Sequence, residues 1–211
     1  MKTAKNPINK IPKSQKKKFS SFRKKQAFKY LGLTDLLSWT IETDAVDPSN
    51  FFQEHLARLH RNFDLESYEE SKKLLIDAIC DEAINSCDRL KIWKGAQLES
   101  DRLAGYVDYL VAERKRFIDI PLLCIIEAKK DDFEQGLAQC LVEMQACQWN
   151  NQQHNHIIDV FGIVTNGEGW RFYKLAVDSK GYETPLYSIG DMERLLGRLR
   201  YVFQLCQQNL P

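Results

Sequence analysis

The sequence predicts an α/β domain in which a central mixed sheet is flanked by helices. Shorter apolar runs lie between the helical segments, and the run PLLCIIEA at 121–128 is apolar on both faces, as expected of a central strand. Asn166-Gly167 separates two further apolar runs and is a strong hairpin signal. Apolar residues recur at helical spacing over residues 69–84, 131–150 and 191–208. The predicted order is therefore α, β, β, β, α, β, β, α.

The individual elements follow from local signals along the chain. Residues 28–39 predict a short helix that ends near Gly32 or is capped by Thr34. Asp47-Pro48-Ser49 is a turn and helix-start signal. The remaining elements, in chain order, are helices at 51–63 and 69–84, a strand or loop at 90–100, strands at 103–112 and 121–128, a helix at 131–150, strands at 157–165 and 170–177, and a helix at 191–208.

The charge distribution divides the chain into two parts. Residues 1–34 contain ten lysines and Arg23 with no acidic residue, whereas the rest of the chain carries 19 basic and 29 acidic residues. We expect a basic, flexible arm over residues 1–34, followed by a single domain over 35–211. Such an arm can bind a phosphate backbone by releasing counterions, although a solubilising tail has the same composition. The candidate nucleic-acid contacts are Lys16, Lys17, Lys18, Arg23, Lys24 and Lys25.

Several classes of protein lack support in the sequence. No apolar run approaches the roughly 20 residues of a membrane span, and no signal peptide is evident, so we expect a soluble, cytoplasmic protein. The phosphate-binding patterns GxxxxGK[ST] and GxGxxG after a strand are absent. Six cysteines are present without a CxxC spacing, which favours reduced thiols in the core.

Three charged residues fall on the two strands predicted in the middle of the chain. Asp108 lies in the first strand, and Glu127 and Lys129 lie at the end of the second. Residues i and i+2 of a strand share a face, so the three side chains can converge at one edge of the sheet. Carboxylate oxygens suit Mg²⁺ or Mn²⁺, and a neighbouring lysine can orient a water molecule or offset negative charge. The alternative is that Glu127 and Lys129 form an ordinary solvated strand end and that Asp108 is a turn residue.

The motifs around these residues resemble the PD-(D/E)xK, or restriction-endonuclease-like, nuclease superfamily. The matching stretches are GYVDYLV, IIEAKK and the helix GLAQCLVEMQ, which run in the order that the superfamily's αβββαβ core implies. SYEESKKLLID and FGIVTNGEGWRFYKL look similar to the start and the late hairpin of type I restriction N-terminal nuclease domains. The resemblance covers about residues 60–178. It departs from the named motif because Gly105-Tyr106-Val107 precedes Asp108 without the proline.

The resemblance implies a role for each matching residue. Asp108 and Glu127 would bind Mg²⁺, with Mn²⁺ as an alternative, and Lys129 would position the attacking water. Glu69 would complete the metal site, with Glu70 and Glu82 as competitors, and Gln139 would contact the lysine or the DNA backbone. The implied function is a metal-dependent phosphodiesterase, a DNA endonuclease above all. The alternative is a catalytically silent nucleic-acid-binding or assembly module on the same fold. The sequence leaves open whether the chain acts as a monomer or a homodimer.

Overall fold

A computed structural model describes residues 16–129 and 132–211 of the chain. None of the helices in this described part is both long enough and apolar enough to cross a lipid bilayer. Short 3₁₀ turns lie at Phe19–Ser21 and Ile189–Asp191. The α-helices are α1 (Lys24–Leu31), α2 (Asn50–Asn62), α3 (Glu69–Ile84), α4 (Phe133–Gln153) and α5 (Met192–Gln208).

The strands of the described residues join into one mixed sheet. They are β1 (Lys17–Lys18), β2 (Leu37–Ser38), β3 (Leu90–Glu99), β4 (Leu103–Glu113), β5 (Leu122–Ala128), β6 (Val160–Thr165), β7 (Gly169–Leu175), β8 (Gly181–Glu183) and β9 (Tyr187–Ser188). The main path of the sheet is β1-β4-β5-β6-β7-β8-β2, with β3 paired to β4 and β9 paired to β7. The pairs β1/β4, β2/β8 and β5/β6 are parallel and the others are antiparallel.

The sheet separates two hydrophobic cores, which confirms the predicted mixed sheet flanked by helices. Alternate residues of β5 face opposite cores, because Ile126 packs with α3 and α5 whereas Ile125 packs with α4. Every residue of β5 is buried, as its uniformly apolar sequence predicts. All six cysteines are buried and free of disulfides, as expected of core thiols.

The described part of the predicted arm is folded against the domain, which corrects the expectation of a flexible segment over 1–34. The segment 16–34 begins with β1, which pairs with β4 by matching Lys17 to Leu103. Phe19 is then buried against Gly105, where an added Cβ would lie 2.7 Å from the ring. This close approach requires glycine at position 105. Residues 1–15 lie outside the described part of the chain.

Helix α1 continues this segment and lies along α4. The side-chain amide of Gln135 in α4 donates hydrogen bonds to the backbone oxygens of Ser20 (3.2 Å) and Phe22 (3.0 Å). The predicted helix over 28–39 is displaced: α1 starts at Lys24 and ends at Leu31, and the next residue, Gly32, forms a left-handed C-cap with a φ of 71°. We refer to residues 16–34 as the N-terminal segment.

Strand β4 has an unpaired stretch along one of its sides. One side pairs with β3 nearly throughout, from Ala104 to Glu113. The other side pairs with β1 at Leu103 and Ala104, and with β5 from Tyr109 to Ala112. Residues 105–108 therefore face a gap between β1 and β5. This gap in the sheet positions the site described below.

Replacing Phe19 tests whether the N-terminal segment belongs to the folded domain. Phe19→Ala removes a fully buried ring, so we expect it to lower the free energy of unfolding by about 3–5 kcal/mol. Phe117→Ala is the matched control, because the Phe117 side chain is exposed and its loss should change stability by less than about 0.5 kcal/mol. Urea denaturation of the full chain measures both. Equal stability of the two variants would contradict the packing of this segment.

Candidate active site

Asp108 occupies the gap where β4 and β5 diverge. The last matched pair of these strands is Tyr109 with Ile126, so Asp108 and Glu127 would be the next pair. The Ala128 backbone amide donates a hydrogen bond to the Asp108 carboxylate at 3.0 Å, where a continued strand pair would offer it a backbone carbonyl. This contact fixes Asp108 over the end of β5. It also satisfies an amide that the divergence of the strands leaves without its usual partner.

The strand bearing Asp108 changes its buried face at this residue. In a regular strand Val107 and Tyr109 would share a face, yet Val107 packs in the core beside α4 and Tyr109 in the core beside α3. Gly95 lies opposite Asp108 on β3 and has a φ of 63°, a left-handed conformation that favours glycine. The two residues mark a bend that both strands make together.

Glu127 and Lys129 meet at the end of β5. The Lys129 ammonium lies 2.6 Å from Oε1 of Glu127, whose side chain is 0% exposed. Besides this ammonium, the Glu127 carboxyl group has a hydrogen bond with the carboxyl group of Glu143. Burial and the nearby Asp108 charge raise the pKa of Glu127 to about 7. Burial opposes the charge of Lys129, but the carboxylates around it, Glu127 first, outweigh burial and raise the pKa of its ammonium.

Helix α4 brings Gln139 and a second buried glutamate, Glu143, to the same place. The Gln139 amide donates to Oε1 of Glu143 at 3.0 Å, and Oε2 of Glu143 has no hydrogen-bond donor among the described residues. The carboxyl group of Glu143 also faces Glu127 within hydrogen-bonding reach. Burial and the Glu127 charge raise the pKa of Glu143 well above its ordinary value.

Helix α3 contributes a lysine at the opposite side of Asp108. The Lys73 ammonium lies 3.1 Å from Oδ1 of Asp108 and 2.7 Å from Glu70, and 3.8 Å from Glu69. Burial opposes its charge, but the hydrogen bond to Glu70 and the charge of Asp108 outweigh burial and raise the pKa of Lys73. Glu69 therefore borders the site through Lys73 and makes no direct contact with Asp108 or Glu127.

The other acidic candidates on α3 differ in their surroundings. Glu70 is exposed, and its pKa is lowered by the hydrogen bond from Lys73. Glu82 is buried elsewhere, where it accepts hydrogen bonds from the Ser49 backbone amide (2.9 Å) and hydroxyl (2.8 Å) and lies 3.7 Å from Arg200. Glu82 thus supports the start of α2 and takes no part in the site.

The sequence prediction missed Lys73 and Glu143. A signal for each was present, because Lys73 lies one helical turn after Glu69 and Glu143 one turn after Gln139. Both elements were predicted correctly as helices. Which of their polar residues point inward depends on how the helices rotate against the sheet.

The predicted nucleic-acid contacts are divided between two clefts. Lys16 and Lys18 line a cleft of about 450 Å³ whose lining also includes Gln97, Tyr106 and Gln139. Lys24 and Lys25 line a second cleft beside α1. Three of the six are engaged with the protein: Lys16 with Glu99 at 3.1 Å, Lys24 with Glu134 at 3.3 Å, and Arg23 with Gln135 at 3.3 Å. The Lys17 ammonium lies over the Phe22 ring.

The donor set fits a divalent cation in its chemistry. Asp108 and Glu127 offer hard carboxylate oxygens, the kind of ligand that Mg²⁺ and Mn²⁺ prefer. Within the described ranges, no three Asp, Glu, His or Cys side chains are assembled to hold a metal. The lysine ammoniums of Lys73 and Lys129 are the cations beside these carboxylates.

Comparison with known proteins gives a likeness over a quarter of the chain. No family model matches the sequence. A stretch of 56 residues is 39% identical to Crinkler effector protein 5 of Phytophthora infestans, covering 26% of this chain. The match spans only 15% of that protein's length.

The buried glutamate predicts a specific pH dependence of stability in the absence of metal. Between its ordinary pKa of 4.5 and its folded value of about 7, Glu127 binds a proton in the folded protein but not in the unfolded chain. Stability should therefore fall as pH rises through this window, by about 2–3 kcal/mol from this group. Glu127→Gln should remove this part of the loss.

Urea denaturation at pH 5 and pH 7.5 in the presence of EDTA measures the effect. Glu134→Gln serves as the control, because Glu134 is an exposed glutamate of α4 and its replacement should leave the wild-type pH dependence intact. A Glu127→Gln variant with the same pH dependence as the wild type would contradict the assignment.

Proposed function

We propose that this protein is a metal-dependent nuclease that hydrolyses phosphodiester bonds, with DNA as the favoured substrate. The observation that carries the proposal is the convergence of Asp108, Glu127 and Lys129 around Ala128. Asp108 accepts from the Ala128 amide, and the Lys129 ammonium lies 2.6 Å from Glu127. Two carboxylates and a lysine in this arrangement suit hydrolysis of a phosphodiester assisted by Mg²⁺ or Mn²⁺.

The element order supports the same proposal at the level of the fold. From α3 to β6 the chain runs α, β, β, β, α, β, the order of the PD-(D/E)xK core that the sequence motifs resemble. Asp108 lies on the second of these strands, and Glu127 and Lys129 follow at the end of the third. Fold alone does not determine activity, so the proposal depends on the site.

Each residue has a distinct role in the proposed reaction. Asp108 and Glu127 would hold the divalent cation, which when bound supplies an activated water and neutralises charge on the phosphate. Lys129 would orient the water and offset the charge that develops on the transferred phosphate oxygens. Lys73 would keep the Asp108 carboxylate in position through its 3.1 Å contact. Gln139 lies in the cleft lining and would contact the substrate backbone.

Substitution of the site residues tests the nuclease proposal. We expect Asp108→Ala and Lys129→Ala to reduce Mg²⁺-dependent cleavage of DNA to background, because each removes a group acting at the reacting phosphate. Gel assays with plasmid and short duplex substrates measure the activity, and circular dichroism confirms that the variants are folded. Glu66→Gln, an exposed change before α3, is the control and should retain full activity. Undiminished cleavage by both Asp108→Ala and Lys129→Ala would overturn the proposal.

One observation favours a second candidate, a nucleic-acid-binding module without turnover. The Lys73 ammonium already neutralises Asp108, and the described residues contain no assembled three-ligand metal group. In that case the wild type would bind DNA but show no cleavage with Mg²⁺ or Mn²⁺. A deletion of the basic residues 1–27 would not separate the two candidates, because it would also remove residues 16–27, which are part of the fold. Point substitutions in the N-terminal segment are therefore the appropriate test.

The cleft beside the site offers a route for a phosphate backbone. Lys16 and Lys18 line the cleft together with Tyr106, whose side chain is 72% exposed, and Gln139. An exposed aromatic ring between cations can stack on a base while the cations contact phosphates. The cleft therefore connects the cationic side chains of Lys16 and Lys18 with Gln139, the α4 residue that contacts Glu143.

Removing the two cleft lysines should weaken DNA binding in a salt-dependent manner. In an Asp108→Ala background that prevents cleavage, we expect the Lys16→Ala/Lys18→Ala double variant to lower the slope of log K against log salt by about 1.5–2, the equivalent of two phosphate contacts. Fluorescence anisotropy with labelled DNA measures this slope. Lys24→Ala/Lys25→Ala is the matched pair from the second cleft and should change the slope less. Identical slopes for the two pairs would contradict this route.

A further inference from the structure

Gly136 is an unexpected residue for the beginning of a buried helix. It is the fourth residue of α4 and is buried, although glycine is the least favourable residue in a helix after proline. Its surroundings explain its presence. A Cβ added at Gly136 would lie 2.6 Å from Cγ1 of Val164 on β6 and 3.1 Å from Cγ of Lys129. Helix α4 therefore approaches its neighbours at this point more closely than a side chain allows.

The Lys129 side chain is fixed at three places along its length. Its backbone amide donates to the Thr165 carbonyl at 2.9 Å, which joins the residue to the end of β6. Its stem passes over Gly136, where an added Cβ would also lie 3.8 Å from Cβ of Lys129. Its ammonium lies 2.6 Å from Oε1 of Glu127. The backbone of Gly136 is thus the surface along which the lysine stem reaches the site.

The first turn of α4 has little freedom to move away from Lys129. The Asp132 side chain accepts a hydrogen bond from the Gln135 amide at 2.8 Å and caps the helix. The Gln135 side chain donates to two backbone oxygens of the N-terminal segment, which holds the same turn from outside. Val164 is a fully buried, β-branched residue of a central strand, and its side-chain torsion is restricted. The unbranched stem of Lys129 is therefore the neighbour of Gly136 that yields most easily.

We propose that Gly136 is a positioning residue for Lys129, because the absence of a side chain at this point of α4 sets where the ammonium lies beside Glu127. The inference rests on the role of Lys129 in the proposed function and deepens it by naming the surface that places the lysine. Gly136 carries no reactive group and acts through Lys129. A misplacement of about 1 Å can cost on the order of 10²-fold in rate. A methyl group at position 136 should therefore slow the reaction without removing any catalytic group.

Gly136→Ala tests the inference in the full chain. Gel assays over a range of DNA concentrations in the presence of Mg²⁺ give kcat and KM. We expect kcat to fall by about tenfold or more while KM changes by less than about twofold, because the variant keeps the cleft lysines and displaces Lys129. Gly190→Ala is the matched control, since an added Cβ there lies 3.5 Å from Oγ of Ser188, an ordinary contact. It should keep the kcat of the wild type.

A spectroscopic measurement reports the position of Lys129 without relying on cleavage. An ammonium group held in an ion pair exchanges its protons slowly enough to give a ¹⁵N NMR signal, and Lys129→Ala assigns that signal by its loss. We expect the wild type in EDTA to show it, Gly136→Ala to shift or lose it, and Gly190→Ala to leave it unchanged. A wild type without this signal would contradict the contact of Lys129 with Glu127 on which the inference depends.

A double variant provides the comparison if Gly136→Ala does not fold. In Gly136→Ala/Val164→Ala the 2.6 Å contact is relieved, and the remaining crowding is with the stem of Lys129. Relative to Val164→Ala alone, the double variant should still show a lower kcat and a shifted Lys129 signal.

A folded Gly136→Ala variant with either the kcat or the Lys129 signal of the wild type would overturn the inference. A double variant that matches Val164→Ala in either measurement would overturn it as well. The nuclease proposal is tested separately, on DNA cleavage by the wild type, Asp108→Ala and Lys129→Ala. If the wild type cuts no DNA, that proposal fails, and the Lys129 signal still decides whether Gly136 places the lysine.

Discussion

The divergence of β4 from β5 after the pair Tyr109/Ile126 determines the geometry of the candidate site. If the pairing of β4 with β5 continued, backbone atoms would fill the gap, and the Ala128 amide would have a backbone carbonyl as its partner. Instead the Asp108 carboxylate accepts from that amide at 3.0 Å. The same divergence leaves room for β1 on the free side of β4, so Phe19 and the N-terminal segment complete the sheet and form one wall of the cleft.

The charges inside this gap are unevenly paired. The ammonium of Lys73 lies 3.1 Å from Asp108, and the ammonium of Lys129 lies 2.6 Å from Glu127. Lys73 is shared with Glu69 and Glu70 at the rim, which leaves the buried pair Glu127 and Glu143 with Lys129 alone. Ionisation of such a pair destabilises the fold above the ordinary carboxyl pKa, and burial raises the pKa of both groups accordingly.

The sequence could predict the central strands and the proximity of Glu127 and Lys129, because residues two apart in a strand share a face. The position of Asp108 beside them depends on the divergence of β4 from β5. The sequence could not predict Glu143, since a glutamate in a helix is normally solvated and only tertiary packing buries it. The N-terminal segment was misjudged for a related reason: Phe19 and Phe22 are isolated aromatics in a lysine-rich stretch and form no periodic pattern. Their burial depends on Gly105 and Gln135, which lie far away in sequence.

The two lysines of the site occupy unequal positions, which suits the different roles proposed for them. Lys73 is held by three carboxylates, at 2.7, 3.1 and 3.8 Å, and its side chain is only 12% exposed. Moving it would leave Asp108 without its counter-ion, so its geometry suits a structural role. Lys129 contacts Glu127 alone among the described carboxylates and is 21% exposed. If a divalent cation replaces the ammonium beside Glu127, Lys129 is released toward solvent, where its charge is free to meet a phosphate or a water molecule.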